Sequence, residues 1–317
     1  MNKQQLLKFY EQGYRDFTGV DLSGVDLSGV MLIGVTLIGA NLVGTNFSRA
    51  FLTKSNFAQA KLNRADFSFA KMSEVNLTEA DLTKANLNGA FMVKSQLANV
   101  RLSGANLTHT NLRAANLSCA NVCGAKLSRV NLRQANLNKA NLKWTNLQQA
   151  RLTGAQLQGS LLTGANLTET FLIDIDLSST DLAGINFTHA KLTGANLSNS
   201  NLSHANLAGA QLRNANLNYA NLNGANLTEA QLRKGNLDNA NLDRAELTDA
   251  DLRGASLKQA NLSNVDLAYT NLLGADLDAA IFNPSFTQYM LANPAYFFLP
   301  DAKKATADTN QPIHLTS

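Results

Sequence analysis

From Phe17 to Phe282 every fifth residue is Leu, Phe, Met or Val, at 54 consecutive positions without an exception. Helices repeat their apolar face about every 3.6 residues and strands about every 2.0, so neither element alone produces this register. A fixed period held this long marks a repeat architecture, in which each unit buries its apolar side chain only by stacking on its neighbours.

Centred on the large apolar residue, a unit reads Ala105-Asn106-Leu107-Thr108-His109. The residue two before the centre is mostly Ala, otherwise Ser, Thr, Val or Ile, with Gly235 and Arg15 as exceptions. The residue just before the centre is often Asn or Asp, and the two after it are polar or Gly. Two positions of each five therefore face inward and three outward, as in a chain that turns a corner every five residues. The small inward residue lets successive coils approach, and the large one fills the axis.

This A-[DN]-L-x-x unit resembles the pentapeptide-repeat family, and the resemblance covers residues 15–284, about 85% of the chain. It implies an all-β fold, a right-handed quadrilateral β-helix with four units per coil and short helical or irregular caps. With coils stacked at about 4.8 Å, the repeats would build a rod roughly 65 Å long. Each buried Leu contributes about 1.5–3 kcal/mol, which lets a chain poor in aromatics stay folded. Stability in such a stack is mostly nearest-neighbour, and the open ends need caps.

Residues 1–14 read as an N-terminal cap helix with Leu6, Leu7, Phe9 and Tyr10 on one side, followed by Gly13. This opening, running into Arg15-Asp16-Phe17-Thr18-Gly19, looks like the lead-in of many cyanobacterial members of the family. The register breaks at Pro284. Residues 285–300, with Phe286, Tyr289, Tyr296, Phe297 and Phe298, read as an aromatic lid or a lid doubling as a homodimer contact. Residues 301–317 are polar and read as a disordered tail.

No charged start precedes an apolar run, so no signal peptide is expected, and no stretch is long and apolar enough to span a membrane. Cys119 and Cys123 stand four apart with no second pair, so no zinc site is expected, and incidental thiols in a reducing cytoplasm are the better reading. His109, His189, His204 and His314 fall where the register cannot gather them. No nucleophile has a His placed to activate it, and carboxylate pairs such as Asp276 with Asp278 lie on solvated sides. Neither a phosphate-binding loop nor a dinucleotide fingerprint occurs in a strand-to-helix context. Most glycines fall at the corner, where turn geometry explains them. The expectation is no enzyme, no cofactor and no metal.

Residues 20 apart should stack, which sorts the outward residues onto four sides. The side centred on Leu32, Leu52, Met72 and onward carries 11 basic and 3 acidic residues, a net +8. The sides of Leu22, Leu27 and Phe17 come to +2, −4 and −4. On the basic side Arg213, Arg233 and Arg253 share one outward position on successive coils, as do Arg113 and Arg133. Like charges about 4.8 Å apart repel by about 1 kcal/mol in water, so such a ladder points to an anionic partner. The position before the centre holds Met31, Phe51, Phe91 and Phe171 on this side, and no other side has Phe there. Ile33 faces out beside them. Two readings of the rings stand open: an interaction surface, or stacking between coils that shields backbone.

Function follows from these sides. The best understood relatives in the family imitate duplex DNA and bind DNA gyrase through strongly negative sides, a mimicry disfavoured here by a sequence pI of about 9.0. Nucleic-acid binding by the basic side is the alternative, although +8 is sparse beside a duplex with one charge per about 1.7 Å. The leading expectation is a cytoplasmic, non-enzymatic scaffold or adaptor. Its partner is an acidic protein, bound by Arg113, Arg133, Arg213, Arg233, Arg253, Phe51, Phe91 and Phe171 as one elongated docking surface.

Overall fold

The computed structural model describes residues 1–283 except Ala268. The expected aromatic lid at 285–300, its homodimer contact and the tail at 301–317 lie outside these residues. The chain divides into two compact units, Met1–Asn166 and Leu167–Ser317, and each is described by itself.

Both units are solenoids of 20-residue coils. Within each unit, residues just before a centre form parallel β-bridges to the residue 20 positions on, as in Asn86↔Asn106 and Asn106↔Lys126 of the first unit and Asn201↔Asn221 of the second. Four such bridges per coil mean four five-residue units per coil. The β-structure is narrower than the sequence suggested. Bridges are mostly one residue wide, and the named strands are β1 (Asn261–Leu262) and β2 (Ile281–Phe282), paired in parallel. The reason is the corner in every unit, which leaves no room for a longer strand.

Backbone hydrogen bonding explains the repeat position by position. In the unit Ala105–His109, the N–H of Asn106 donates to Ala85 of the preceding coil, and those of Leu107 and His109 donate to Lys126 and Ser128 of the next. Ala105 N–H closes the preceding turn on the Leu102 carbonyl. One donor is left, Thr108 N–H, and the Asn106 side-chain oxygen accepts it at 3.2 Å. A buried or half-buried N–H without a partner is expensive, so Asn or Asp recurs here because its oxygen reaches the donor that the backbone leaves over. Asn adds a second service: its amide donates to the oxygen one coil back, as Asn106 does to Asn86 at 3.1 Å and Asn86 to Asp66 at 3.0 Å. Asp has no such donor and sits where it only receives.

Every residue two after a centre, from Gly19 to Ala279, has positive φ. Where the turn hydrogen bond closes, as from Ala105 N–H to the Leu102 carbonyl, positive φ at the third residue is the pattern of a type II turn. Many of these residues are not glycine: Arg49, Phe69, Trp144 and His189 sit at φ 54–59°. Each such L-residue bears about 1–2 kcal/mol of left-handed strain, sustained by the ladder on both sides. From this corner the side chain leans toward the next coil. Phe69 lies over Gly89, Trp144 over Gly164, His189 over Gly209 and His204 over Gly224.

Every central side chain from Phe17 to Leu277 is buried. In the first unit Phe47 and Phe67 stack with centroids 5.0 Å apart, and Phe57 meets them edge-on at 5.9 and 6.0 Å. Most hydroxyls of the small inward column bond backbone: Thr45, Ser55, Ser95 and Thr110 donate to the carbonyls of Leu22, Leu32, Met72 and Leu87 one coil back, whereas the buried Ser160 hydroxyl has no hydrogen-bond partner among the described residues.

The helix α1 spans Lys3–Glu11, opened by an Asn2–Gln5 capping box. Its Leu6 is fully buried. The Tyr10 hydroxyl lies 3.1 Å from the Ile33 nitrogen and 3.3 Å from its carbonyl oxygen, groups of the first coil. Phe9 does not join this buried side; it is exposed, and its ring meets Tyr14 edge-on at 5.6 Å.

Candidate docking surface

On the basic side of the first unit, the position before the centre runs Met31, Phe51, Lys71, Phe91, Asn111, Asn131 on successive coils, each bridged to the next. At four of these the fold's preferred residue is absent. Neither Phe51 nor Phe91 supplies an Asx oxygen, so the N–H groups of Thr53 and Val93 lose the acceptor that Asn111 and Asn131 give Arg113 and Arg133, each at 3.2 Å. The rings are 43% and 41% exposed, and Met31 is 58% exposed. Lys71 lies between them, its ammonium 5.8 Å from the Phe91 centroid. Phe91 is thus approached by a lysine ammonium from the preceding coil, and both rings present a face to solvent.

Beyond the rings, Arg113 and Arg133 are exposed and form no ion pair among the described residues. Asx bonds to their own N–H groups fix where both side chains start. Lys54 and Lys94 project from the corners alongside, with Glu74 as the one acidic residue of this side of the unit.

In the second unit the expected like-charge ladder is corrected. Asp251 lies between Arg233 and Arg253. Arg253 grips it with two hydrogen bonds, Nε to Oδ1 at 2.8 Å and Nη2 to Oδ2 at 2.6 Å, while Arg233 Nε approaches to 4.0 Å. The Arg253 hydrogen bond holds the Asp251 carboxyl below the usual carboxylate range. Asp251 stands before the centre of Arg253's own unit, so the two outward side chains meet across one residue. Of the three arginines, only Arg213 is exposed without an ion pair among the described residues. Phe171 is half-buried, with Lys191 Nζ 4.4 Å from its centroid. The eight residues expected to act together are thus in different states: Phe51, Phe91, Arg113 and Arg133 present themselves on the first unit, while in the second Arg233 and Arg253 are engaged internally.

Sequence reasoning passed over one exposed apolar pair on another side of the first unit. Trp144 is 67% and Leu161 48% exposed. The available signal was Leu161 at a position where Asn is the rule. Among the described residues no group of three His, Cys, Asp or Glu is placed to hold a metal. Cys119 is exposed and Cys123 half-buried, both as free thiols. His189 and His204 are corner residues stacked on glycines. A shallow cleft of the first unit, lined by Ser28, Arg49, Asp66 and Phe69 among others, holds one carboxylate. That carboxylate, Asp66, already accepts from Ser68 N–H and the Asn86 amide. No described helix is long and apolar enough to cross a membrane.

Comparison with known proteins gives a consistent family. The model for pentapeptide repeats matches in eight copies between residues 76 and 283. The model for a pentapeptide repeat region matches residues 16–87. Among solved structures, the chain is similar to HetL, a pentapeptide repeat protein involved in heterocyst differentiation regulation from the cyanobacterium Nostoc sp. strain PCC 7120. The identity is 30% over 89% of this chain and 97% of that one, with a TM-score of 0.22. It is also similar to Rfr23 from the cyanobacterium Cyanothece 51142, at 23% identity over 50% and 99% of the two chains and a TM-score of 0.20. QnrB1, a plasmid-mediated fluoroquinolone resistance protein, matches at 16% identity over 71% and 98%, with a TM-score of 0.27. No curated protein sequence matches the chain.

Proposed function

The chain belongs to the pentapeptide-repeat family, and on that premise we propose that it is a non-enzymatic scaffold or adaptor whose basic side docks an acidic partner protein. One observation carries the reading. Phe51 and Phe91 occupy positions where the fold is better served by Asn, and they forgo its hydrogen bond beside two exposed arginines without ion pairs. Residues that work against local stability and cluster on one face fit a binding role better than a folding one. Aromatic residues, Met and Arg are also the types enriched in protein interfaces.

In finer detail, each unit is a right-handed quadrilateral β-helix, and α1 is a lid that occupies open backbone groups of the first coil through Tyr10. The protein works in the cytoplasm. Arg213 and Phe171 extend the same chemistry to the second unit as a weaker contact. Nucleic-acid binding is the second reading, favoured by the same cations.

Affinity capture from native lysate tests the proposal. Arg113→Glu/Arg133→Glu should lose an acidic partner that the wild type retains, while Lys126→Glu/Lys139→Glu, an equal charge change on other sides, keeps it. Equal loss, or none, contradicts the assignment. A gel shift at about 150 mM salt, lost only in the arginine variant, would move the function to nucleic acid.

A further inference from the structure

We infer that the basic side of the first unit is a bipartite docking strip for one amphipathic acidic helix of a partner protein, with exposed apolar residues at one end and arginines at the other. The inference rests on the proposed docking function and adds the chemistry and shape of what docks. Along this side the exposed residues change character in order. Met31, Ile33 and Phe51 are apolar and exposed on the first two coils. Lys71 and Phe91 alternate next, and Arg113 and Arg133 close the series. At the apolar end Tyr10 of α1 occupies the Ile33 backbone groups and leaves the Met31 and Ile33 side chains exposed. The corner beside Ile33 is Gly34, where nothing lies within 4 Å of a would-be Cβ, so the corner itself adds no side chain over Ile33.

From Met31 to Arg133 is five coil steps, about 24 Å at the sheet spacing. A helix of roughly 16 residues covers that length. Its turn of about 5.4 Å lies near the coil spacing of about 4.8 Å, so one side chain per turn meets about one coil per turn over this short span. A stripe reading apolar and then acidic would place its apolar residues on Met31, Ile33 and Phe51 and its carboxylates on Arg113 and Arg133. Arginine forks suit carboxylates bidentately.

Membranes and nucleic acids are the competing surfaces. The rings are more than half covered, forming a floor rather than a wedge that enters a bilayer. The apolar end offers a phosphate backbone a single corner cation, Lys54, against one charge per about 1.7 Å of duplex.

The test uses the full chain and synthetic peptides, read by fluorescence anisotropy at several salt concentrations. The probes are an 18-residue helical peptide with a Leu-then-Glu stripe, a composition-matched peptide with the stripe interleaved, and a Glu-rich peptide lacking Leu. Duplex DNA and anionic vesicles are the further arms. Met31→Asn/Phe51→Asn introduces the residue most common at those positions and should keep the fold. Arg113→Thr/Arg133→Thr does the same at its position. The expected result is tightest binding of the striped peptide. Met31→Asn/Phe51→Asn should weaken it at least tenfold and leave the Glu-rich peptide unchanged, while Arg113→Thr/Arg133→Thr weakens both. If the interleaved peptide binds equally, or the apolar variant has no effect, the bipartite strip is overturned and basic docking survives. If no acidic peptide responds to the arginine variant, the docking function fails as well. Tighter binding of DNA or vesicles than of the striped peptide overturns the inference in favour of those surfaces.

Discussion

Gly89→Ala should destabilise the first unit more than Gly104→Ala, although the two backbones are nearly the same. Both glycines sit at left-handed corners, with φ of 66° and 65°, so each alanine bears the same strain of about 1–2 kcal/mol. What differs is the coil before. A Cβ at Gly104 would stand 3.7 Å from Lys84 Cγ, an ordinary contact, whereas at Gly89 it would stand 2.7 Å from Phe69 Cδ1 and Cε1. Carbon pairs settle at about 3.5–4.0 Å, so the ring must retreat by about 1 Å. An off-rotamer ring costs about 0.5–1.5 kcal/mol, and some packing on the corner goes with it. The excess for Gly89→Ala is thus about 1–2 kcal/mol, or roughly 2–8 °C in Tm for a unit of this size. Thermal melts of both variants measure it. Phe69→Asn in the Gly89→Ala background should bring the loss back to that of Gly104→Ala. Equal losses, or no rescue, would refute the forward lean of corner side chains.

Other perturbations probe the core, the ladder and the arginines. Leu137→Asp, at a position 1% exposed, should cost roughly 3–5 kcal/mol or unfold the chain, whereas Asn138→Asp next to it leaves the melt near wild type. Asn86→Asp turns a donor to Asp66 at 3.0 Å into a second carboxylate. Its stability at neutral pH should fall by about 1–3 kcal/mol, and the loss should shrink toward acid pH as one of the pair takes a proton. Arg253→Glu sets a like charge against Asp251, whose two hydrogen bonds it removes, so the melting temperature should drop. Arg213→Glu, without an ion pair, should leave it near wild type. Phe51→Asn restores an Asx acceptor for Thr53, so denaturant titration should show stability unchanged or slightly raised.

The period-5 column was legible because burial is a property of one position in five. Leu107 and its counterparts need only be large and apolar, and the structure buries those from Phe17 to Leu277. The stacking at 20 residues was equally legible in the family resemblance, and the bridges follow it. Relations between side chains were harder to read. Asp251 was counted against the basic side, yet nothing in its spacing shows that it would bridge Arg233 and Arg253; that depends on where two flexible guanidiniums swing. The corner lean of Phe69 onto Gly89 needs the sign of φ, which composition hides wherever the residue is not glycine. The preference for Asn before the centre was visible as a pattern. Its cause, the one N–H that the coils leave over, required the full hydrogen-bond accounting.

Carboxyl-to-amine crosslinking of zero length, applied to the full chain with its captured partner and mapped by mass spectrometry, tests the docking surface most directly. It joins a partner Asp or Glu to a chain lysine only where the two touch. Lys258 with Asp276, 3.1 Å apart within the chain, is the internal control for the reaction. The account predicts intermolecular links at Lys54, Lys71 and Lys94 on the basic side of the first unit. Links concentrated instead at Lys61, Lys126 or Lys139, on the other sides, with those three unmodified by the partner, would contradict it.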